Sequence, residues 1–193
     1  HESTRRQRQM CIRDRSESPI DENFIVIGTD DGLIQITENS GKTWRKIDNI
    51  PDAPEQSYVN SVYLSQHDVN VIYVAFNHHK YGDFKPYIFK SSDRGNSWVS
   101  ISSNLPIRGS VYSIEEDHVN SNLIFCGTEF GVFFSPDSGG NWKELANGLP
   151  TIAVRDIAIQ RRENDLVLGT FGRGFYVLDD YSVLRSIENS DKD

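Results

Sequence analysis

The chain has 193 residues, of which 37% are hydrophobic and 25% charged, and a formal net charge of −8. That length supports one or two domains with a real core. The acidic balance argues against sequence-independent binding to phosphate backbones, so no nucleic-acid partner is expected. No apolar run approaches the roughly 20 residues of a membrane span. The two cysteines, Cys11 and Cys126, offer neither a disulfide framework nor a cysteine metal site.

The first sixteen residues differ from the rest. Arg5, Arg6, Arg8, Arg13 and Arg15 stand there against only Glu2 and Asp14, and the single methionine is Met10. A basic arm for nucleic acid, a transit peptide and a signal peptide are the alternatives. The segment has neither an amphipathic stripe nor an apolar core region. Residues 8–15 resemble the adapter-derived ends of translated metagenomic fragments. Residues 1–16 are therefore expected to be a non-native, disordered leader, with residues 17–22 a linker.

From residue 23 the chain reads as short strands. Phe24 to Gly28, Val71 to Ala75, Leu123 to Gly127 and Leu166 to Gly169 are β-branched or aromatic runs bounded by turn residues. Within the third of these, Cys126 reads as a buried, inert thiol. Glycine-bounded turns follow three of the runs at Gly28–Gly32, Gly127–Gly131 and Gly169–Gly174, returning the chain into a second strand. A further strand precedes three of the units, at Val59 to Leu64, Val111 to Glu115 and Val154 to Ile159. No helical period appears, and Tyr181 to Glu188 is ambiguous.

One eight-residue frame, hydroxyl-x-Asp/Asn-x-Gly-x-x-Trp, occurs three times and uses all three tryptophans: Thr37–Trp44, Ser91–Trp98 and Ser135–Trp142. Asn39, Asp93 and Asp137 suit acceptance of backbone N–H groups inside their own turns. Gly41, Gly95 and Gly139 are expected at positive φ. Trp44, Trp98 and Trp142 are expected to be buried, starting the next strand. The tryptophans recur at 54 and 44 residues, close to the about 40–50 residues of a propeller blade. Aligning Gly174 with Gly131 places Asp180 over Asp137, while Ser182 and Arg185 replace the glycine and tryptophan of the frame.

The frame resembles the Asp-box of bacterial neuraminidase repeats, found in sialidases, sortilin-like receptors and xyloglucan-cleaving hydrolases. The segments Val74–Tyr87 and Leu168–Asp180 are similar to those of large secreted bacterial repeat proteins of this type. The resemblance implies an all-β fold, a partial β-propeller of about four blades, each a four-stranded antiparallel sheet. The propeller segment is expected over residues 23–187, with blades at about 23–51, 58–106, 110–150 and 151–187, and a disordered tail at 188–193. Such an arc implies further blades from a longer chain. The resemblance also implies an extracellular or periplasmic location and a structural role for the frame, whose turns lie away from the binding face.

Candidate ligand-binding residues fall in two places. The β-hairpin from His78 to Tyr87 holds the extra length of the second unit, and His78, His79 and Asp83 lie in it. Adjacent histidines in a strand point to opposite faces, so no metal site is expected. The innermost strands of a propeller line its channel, and their alignment equates Asn60, Tyr112 and Arg155, with Ser61, Ser113 and Asp156 beside them. Arg155 and Asp156 compete with a plain surface ion pair as an explanation. Arg173, in the glycine-rich turn Gly169–Gly174, completes the set. That turn has no helix behind it, which disfavours a phosphate loop. Glycosidase chemistry needs two positioned carboxylates, and 28 acidic residues make some pair inevitable. The Phe/Tyr-Arg-Ile-Pro motif of sialidases is absent. No catalytic residue and no cofactor are expected. The expected function is a non-catalytic scaffold binding protein or carbohydrate within a larger secreted protein, with part of a glycoside hydrolase acting on polysaccharide as the alternative.

Overall fold

The computed structural model describes residues 11–146 and 148–187, which form four antiparallel sheets. Blade 1 contains β1 (Ile12–Glu17), β2 (Ile25–Thr29), β3 (Ile34–Thr37) and β4 (Arg45–Ile47). Blade 2 contains β5 (Tyr58–Leu64), β6 (Ile72–His78), β7 (Asp83–Ser91) and β8 (Val99–Ser100). Blade 3 contains β9 (Val111–Glu116), β10 (Ile124–Thr128), β11 (Gly131–Ser135) and β12 (Lys143–Glu144). Blade 4 contains β13 (Val154–Gln160), β14 (Asp165–Thr170) and β15 (Phe175–Leu178), followed by a 3-10 turn at Tyr181–Ser186. In every blade the strands pair in sequence order, so each sheet is a simple meander.

The expectation of a disordered leader through residue 16 is corrected here. Residues 12–17 pair with β2 from Ile12↔Thr29 to Glu17↔Ile25 and supply the leading strand of blade 1. The strand is polar, and it is held by backbone pairing and by bonds to blade 2. The Val62 N–H donates to Asp14 Oδ2 at 2.7 Å and the Leu64 N–H to Ser16 Oγ at 3.1 Å. Residues 1–10 and 188–193 lie outside the described residues.

Continuous apolarity in β6 and β10, the second strands of the two inner blades, reflects burial on both sides, whereas β2 and β14 alternate buried with half-buried positions. Alternate residues serve different neighbours: Ile72, Val74 and Phe76 pack toward blade 1, whereas Tyr73 and Ala75 pack toward blade 3. Three apolar clusters result, between blades 1 and 2, 2 and 3, and 3 and 4. Among the described residues no fourth cluster joins blade 4 to blade 1, so the arc is open.

The open end explains a second correction. Trp98 and Trp142 are 8% and 4% exposed, but Trp44 is 41% exposed. Each buried tryptophan packs against the preceding blade, as Trp142 does against Ile101 and Leu105 of blade 2's end, and among the described residues no blade stands before Trp44. The frame glycines show the same asymmetry. A Cβ on Gly95 or Gly139 would meet Ile36 at 2.6 Å or Ile101 at 2.7 Å, whereas one on Gly41 would meet only Trp44.

Candidate functional site

The antiparallel meander sorts the loops onto two faces. On one face lie the first-to-second and third-to-fourth strand connections, including all three copies of the frame. There Asn39, Asp93 and Asp137 fasten their own turns. Asp93 Oδ1 accepts from the Asn96 and Ser97 N–H groups at 3.0 and 2.8 Å, and from Ser91 Oγ at 2.8 Å. Asp137 Oδ1 accepts from the Asn141 N–H at 2.8 Å, and Asn39 Oδ1 from the Thr43 N–H at 2.9 Å. The hydroxyl that opens the frame accepts the glycine N–H, at 2.9 Å in Thr37, 2.7 Å in Ser91 and 2.8 Å in Ser135. Gly41, Gly95 and Gly139 have φ of 85°, 82° and 94°, and Ser40, Arg94 and Ser138 before them are also left-handed at 54°, 57° and 59°. These hydrogen bonds from the Ser97 side chain and backbone hold the Asp93 carboxyl down at about 2.

A second repeated turn on this face was not recognised in the sequence. Ser18, Ser65 and Asp117 follow the first strands, and each side chain accepts N–H groups two and three residues on. Asp117 is fully buried and also accepts Tyr181 Oη at 2.5 Å and a two-pronged Arg185 contact at 2.8 Å. Burial opposes its ionisation, but the Arg185 and Tyr181 bonds prevail and leave it at about 2. The contact ties blade 3 to the 3-10 turn of blade 4. Asp93, Asp117 and Asp137 on this face are thus fixed within the fold.

The other face carries the second-to-third strand turns and the connections between blades. Exposed aromatic rings there include Tyr81, Phe84, Phe130 and Phe171, together with Ile107. A cleft of about 610 Å³ between blades 2 and 3 is lined by Phe84, Ile107 and Phe130 with Lys85, Arg108 and Glu129 at its rim. The Gly109 N–H donates to the Phe84 carbonyl at 2.9 Å and ties the connection between blades 2 and 3 to β7. A second concavity of about 490 Å³, between blades 1 and 2, has an acidic lining that includes Asp31, Asp48 and Glu55.

Asn60, Tyr112 and Arg155 occupy one shared position, as their alignment predicts, and it is a β-bulge in each first strand. The pairing register slips between Val59 and Ser61, opposite Gly127/Thr128, and between Val154 and Asp156. A bulge re-aims the side chain, which strict alternation does not anticipate. Asn60 Nδ2 donates to the Val111 carbonyl of blade 3 at 2.8 Å and is a fastener between blades. The Arg155 guanidinium lies 3.7 Å from the Tyr112 ring centroid and 5.3 Å from that of Phe171. Among the described residues Arg155 forms no ion pair with Asp156, so the surface-pair explanation does not hold. Arg155 and Asp156 share with Asn60 and Tyr112 a polar cavity of about 360 Å³ at the channel.

Glu115 lines the same cavity. Burial pushes its carboxyl up to about 7, against the Tyr63 hydrogen bond at 3.3 Å and the nearby Arg161. The hairpin residues do not converge. His78 Nδ1 lies 3.0 Å from Ser57 Oγ and its ring stacks on Tyr81. His79 instead contacts Asn77 Oδ1 at 2.6 Å and stacks on Tyr58. Asp83 accepts Tyr87 Oη at 2.6 Å and the Lys85 N–H at 3.1 Å. Among the described residues no three His, Cys, Asp or Glu side chains are grouped to hold a metal ion. Arg173 sits exposed in the β14–β15 turn. Among the described residues no helix is long and apolar enough to cross a membrane.

Comparison with solved structures places the fold. YCF48 bound to a D1 peptide matches with a TM-score of 0.66 and 20% identity over 89% of this chain and 52% of that one. The chain is an arc of a β-propeller. The Niastella koreensis GH74 enzyme matches at TM-score 0.70 and 10% identity, covering 89% of this chain and 29% of that one. The extracellular domain of a putative one-component system from B. thetaiotaomicron matches at 0.65 and 18%, covering 89% and 21%. This arc thus spans about half the length of YCF48 and less than a third of the other two. No family model and no curated protein matches the chain.

Proposed function

We propose that this propeller arc is a non-catalytic protein-binding scaffold of a larger secreted protein, and that its ligand surface is the aromatic and basic face opposite the repeated frame. Arg155 carries the reading. Its guanidinium lies against Tyr112 and near Phe171, outside any ion pair among the described residues, on a chain with net charge −8. A cation packed against rings keeps in-plane N–H donors for a ligand beyond its contact with the Tyr112 hydroxyl. Exposed rings around it supply contact area at little entropic cost. Peptide binding by one structural neighbour is consistent with this use of the fold, although fold alone does not transfer function. The frame resembles the Asp-box, and its internally satisfied turns fit the structural role that the resemblance implies.

The alternative, part of a glycoside hydrolase, draws on the GH74 neighbours and on Glu115, Asp156 and Asp14 lining one cavity. Asp14 is occupied by the Val62 N–H, which leaves Glu115 and Asp156 as the pair to test. Peptides selected by display on the immobilised protein are expected to lose binding in Phe84→Ser, Phe171→Ser and Arg155→Gln. They are expected to keep it in the frame variant Asp93→Asn. Selection insensitive to the first three variants, or cleavage of a soluble polysaccharide abolished by Glu115→Gln, would overturn the proposal.

A further inference from the structure

All four first strands contribute to the polar cavity of about 360 Å³ at the channel. Asp14, Ser61 and Ser113 each stand four residues before Ser18, Ser65 and Asp117 of the second repeated turn, so they hold one position, and Asp156 aligns with Ser113. Ser16, Tyr63 and Glu115 hold the position two residues further on. In blade 1 both positions fasten the next blade. Asp14 and Ser16 accept the Val62 and Leu64 N–H groups at 2.7 and 3.1 Å.

Blade 3 leaves the same two positions unfastened. Ser113 is 7% exposed and lines the cavity, yet among the described residues its Oγ has no hydrogen-bond partner. It shares one side of β9 with Glu115, whereas Ile114 between them packs toward blade 2. Glu115 has only the 3.3 Å contact of its Oε1 with the Tyr63 hydroxyl. Asp156 has only the bond from the neighbouring Ile157 N–H to its Oδ1, at 3.0 Å. Among the described residues, Glu115 Oε2, Asp156 Oδ2 and Ser113 Oγ therefore remain without a donor. The negative charge of Asp156 acts on both Glu115 and Asp14. The neighbouring cations are engaged elsewhere: Arg15 with Glu17, and Arg155 over the Tyr112 ring. Arg161 acts on Glu115 without forming an ion pair among the described residues. Buried acceptors are costly when left unmatched, and three at one cavity fit a ligand with several donors and a positive charge.

We propose that this cavity is a primary-ammonium site, filled by a lysine side chain of the protein partner that donates to Glu115, Asp156 and Ser113. This deepens the protein-binding reading and rests on it. An ammonium carries three N–H donors and no acceptor, which matches three free oxygens. Its four-carbon stem lets the head enter the cavity while the partner's backbone stays outside. A metal ion fits less well. Among the described residues no three His, Cys, Asp or Glu side chains are grouped to hold one, whereas an ammonium is satisfied by hydrogen bonds spread around it.

The test titrates the whole chain with n-butylammonium, the end of a lysine side chain, and follows backbone amide shifts by NMR. Saturable shifts are expected at Ser113, Glu115 and Asp156. Butyramide, which is uncharged, is expected to give none. Glu115→Gln and Asp156→Asn should each weaken binding by about 5-fold or more; if either fails to fold, butyramide and the pH series decide. Glu115 is faced by Tyr63 of blade 2, by Asp156 and Arg161 of blade 4 and by Glu116 of its own strand, and burial lifts its carboxyl to about 7. Its charge appears as pH rises, so the affinity for n-butylammonium should increase by about 5-fold from pH 6 to 8. Equal shifts with butyramide, no saturable shift, shifts elsewhere only or a flat pH profile would overturn the proposal. Tighter binding of glycinamide would assign the site to a chain N-terminus and overturn the lysine assignment. Display-selected peptides that keep their affinity when every lysine is acetylated would also end it. If they still depend on Phe84 and Phe171, the scaffold reading stands.

Discussion

The three frame tryptophans form a matched mutational series whose outcome depends on the arc being open. Trp142 is 4% exposed, and its Nε1–H donates to the Ile101 carbonyl of the preceding blade at 2.7 Å. Truncating a buried aromatic to alanine costs about 3–5 kcal/mol, and an orphaned buried carbonyl adds about 1 kcal/mol or more. Trp142→Ala should therefore fall at the upper end. Trp98 is 8% exposed, but among the described residues its Nε1 has no hydrogen-bond partner. Removing an unsatisfied donor offsets part of the cavity cost, so Trp98→Ala should be milder by about 1–2 kcal/mol. Trp98→Phe should be close to neutral. Trp44 is 41% exposed and donates only within its own turn, to Gly41 at 3.1 Å, so Trp44→Ala should cost about 1–2 kcal/mol. Urea titrations followed by circular dichroism, with the slopes compared, give the order. A loss for Trp44→Ala equal to that for Trp142→Ala would mean that the outward face of blade 1 is covered, and the open-arc reasoning would fail.

Asp137→Ala should lose about 1–3 kcal/mol, because the Asn141 N–H and Ser135 Oγ lose their acceptor. Asp137→Asn should cost under about 1 kcal/mol by urea titration, since Asn39 already fills the same role in blade 1. Gly127→Ala should cost about 2–4 kcal/mol by the same assay, because its Cβ would lie 2.5 Å from Ser113 Oγ and 2.6 Å from the Val154 carbonyl. Glu115 has its pKa raised from 4.5 to about 7, so the folded state holds the proton more tightly. Its contribution to stability is present below about pH 4.5 and lost as pH rises through about 7, and Glu115→Gln should flatten thermal melts across that window. Asp117 runs the other way: its pKa falls from 3.8 to about 2, so its contribution is present above pH 3.8 and lost toward pH 2, and Arg185→Gln should reduce that acid sensitivity.

Blade identity was legible because the frame records a local requirement. A hydroxyl, a carboxylate or amide, a glycine at positive φ and a tryptophan are needed within eight residues, whatever lies beyond. What was missed depends on partners distant in sequence or on backbone irregularity. β1 has the polar sequence Ile12–Glu17 and alternates exposed with half-buried positions, so hydrophobic periodicity could not announce it. Its anchors, Val62 and Leu64, lie 48 residues away. Arg185 aligned with the tryptophan of the frame without resembling it, yet it clamps Asp117 from 68 residues further along. Asn60, Tyr112 and Arg155 were equated by alignment, but the bulge that distinguishes a fastener from an exposed cation has no composition signal. One signal was available and unused: Ser18, Ser65 and Asp117 each precede Asp or Asn by three residues and Asn by five, the spelling of the second turn.

The two faces of the arc should report different things under mutation. On the frame face, polar groups are paired internally and several pairings cross between blades: Arg94 contacts Glu38 at 3.0 Å, Arg45 donates to the Arg94 carbonyl at 2.5 Å, and Arg185 grips Asp117. Removing one partner there strands another group at a joint, so the effect appears as lost stability. On the opposite face Tyr81, Phe84, Phe130 and Phe171 are exposed. Their loss from the free chain should cost no more than the about 1–2 kcal/mol expected of the similarly exposed Trp44, and least at Phe171, which is 69% exposed. A ring that contributes little to folding yet remains in water can affect only what docks on it. Variants at these positions that melt normally and lose a ligand would therefore locate the binding surface without ambiguity from misfolding, whereas the same loss in a frame variant would have to be discounted against its melting shift.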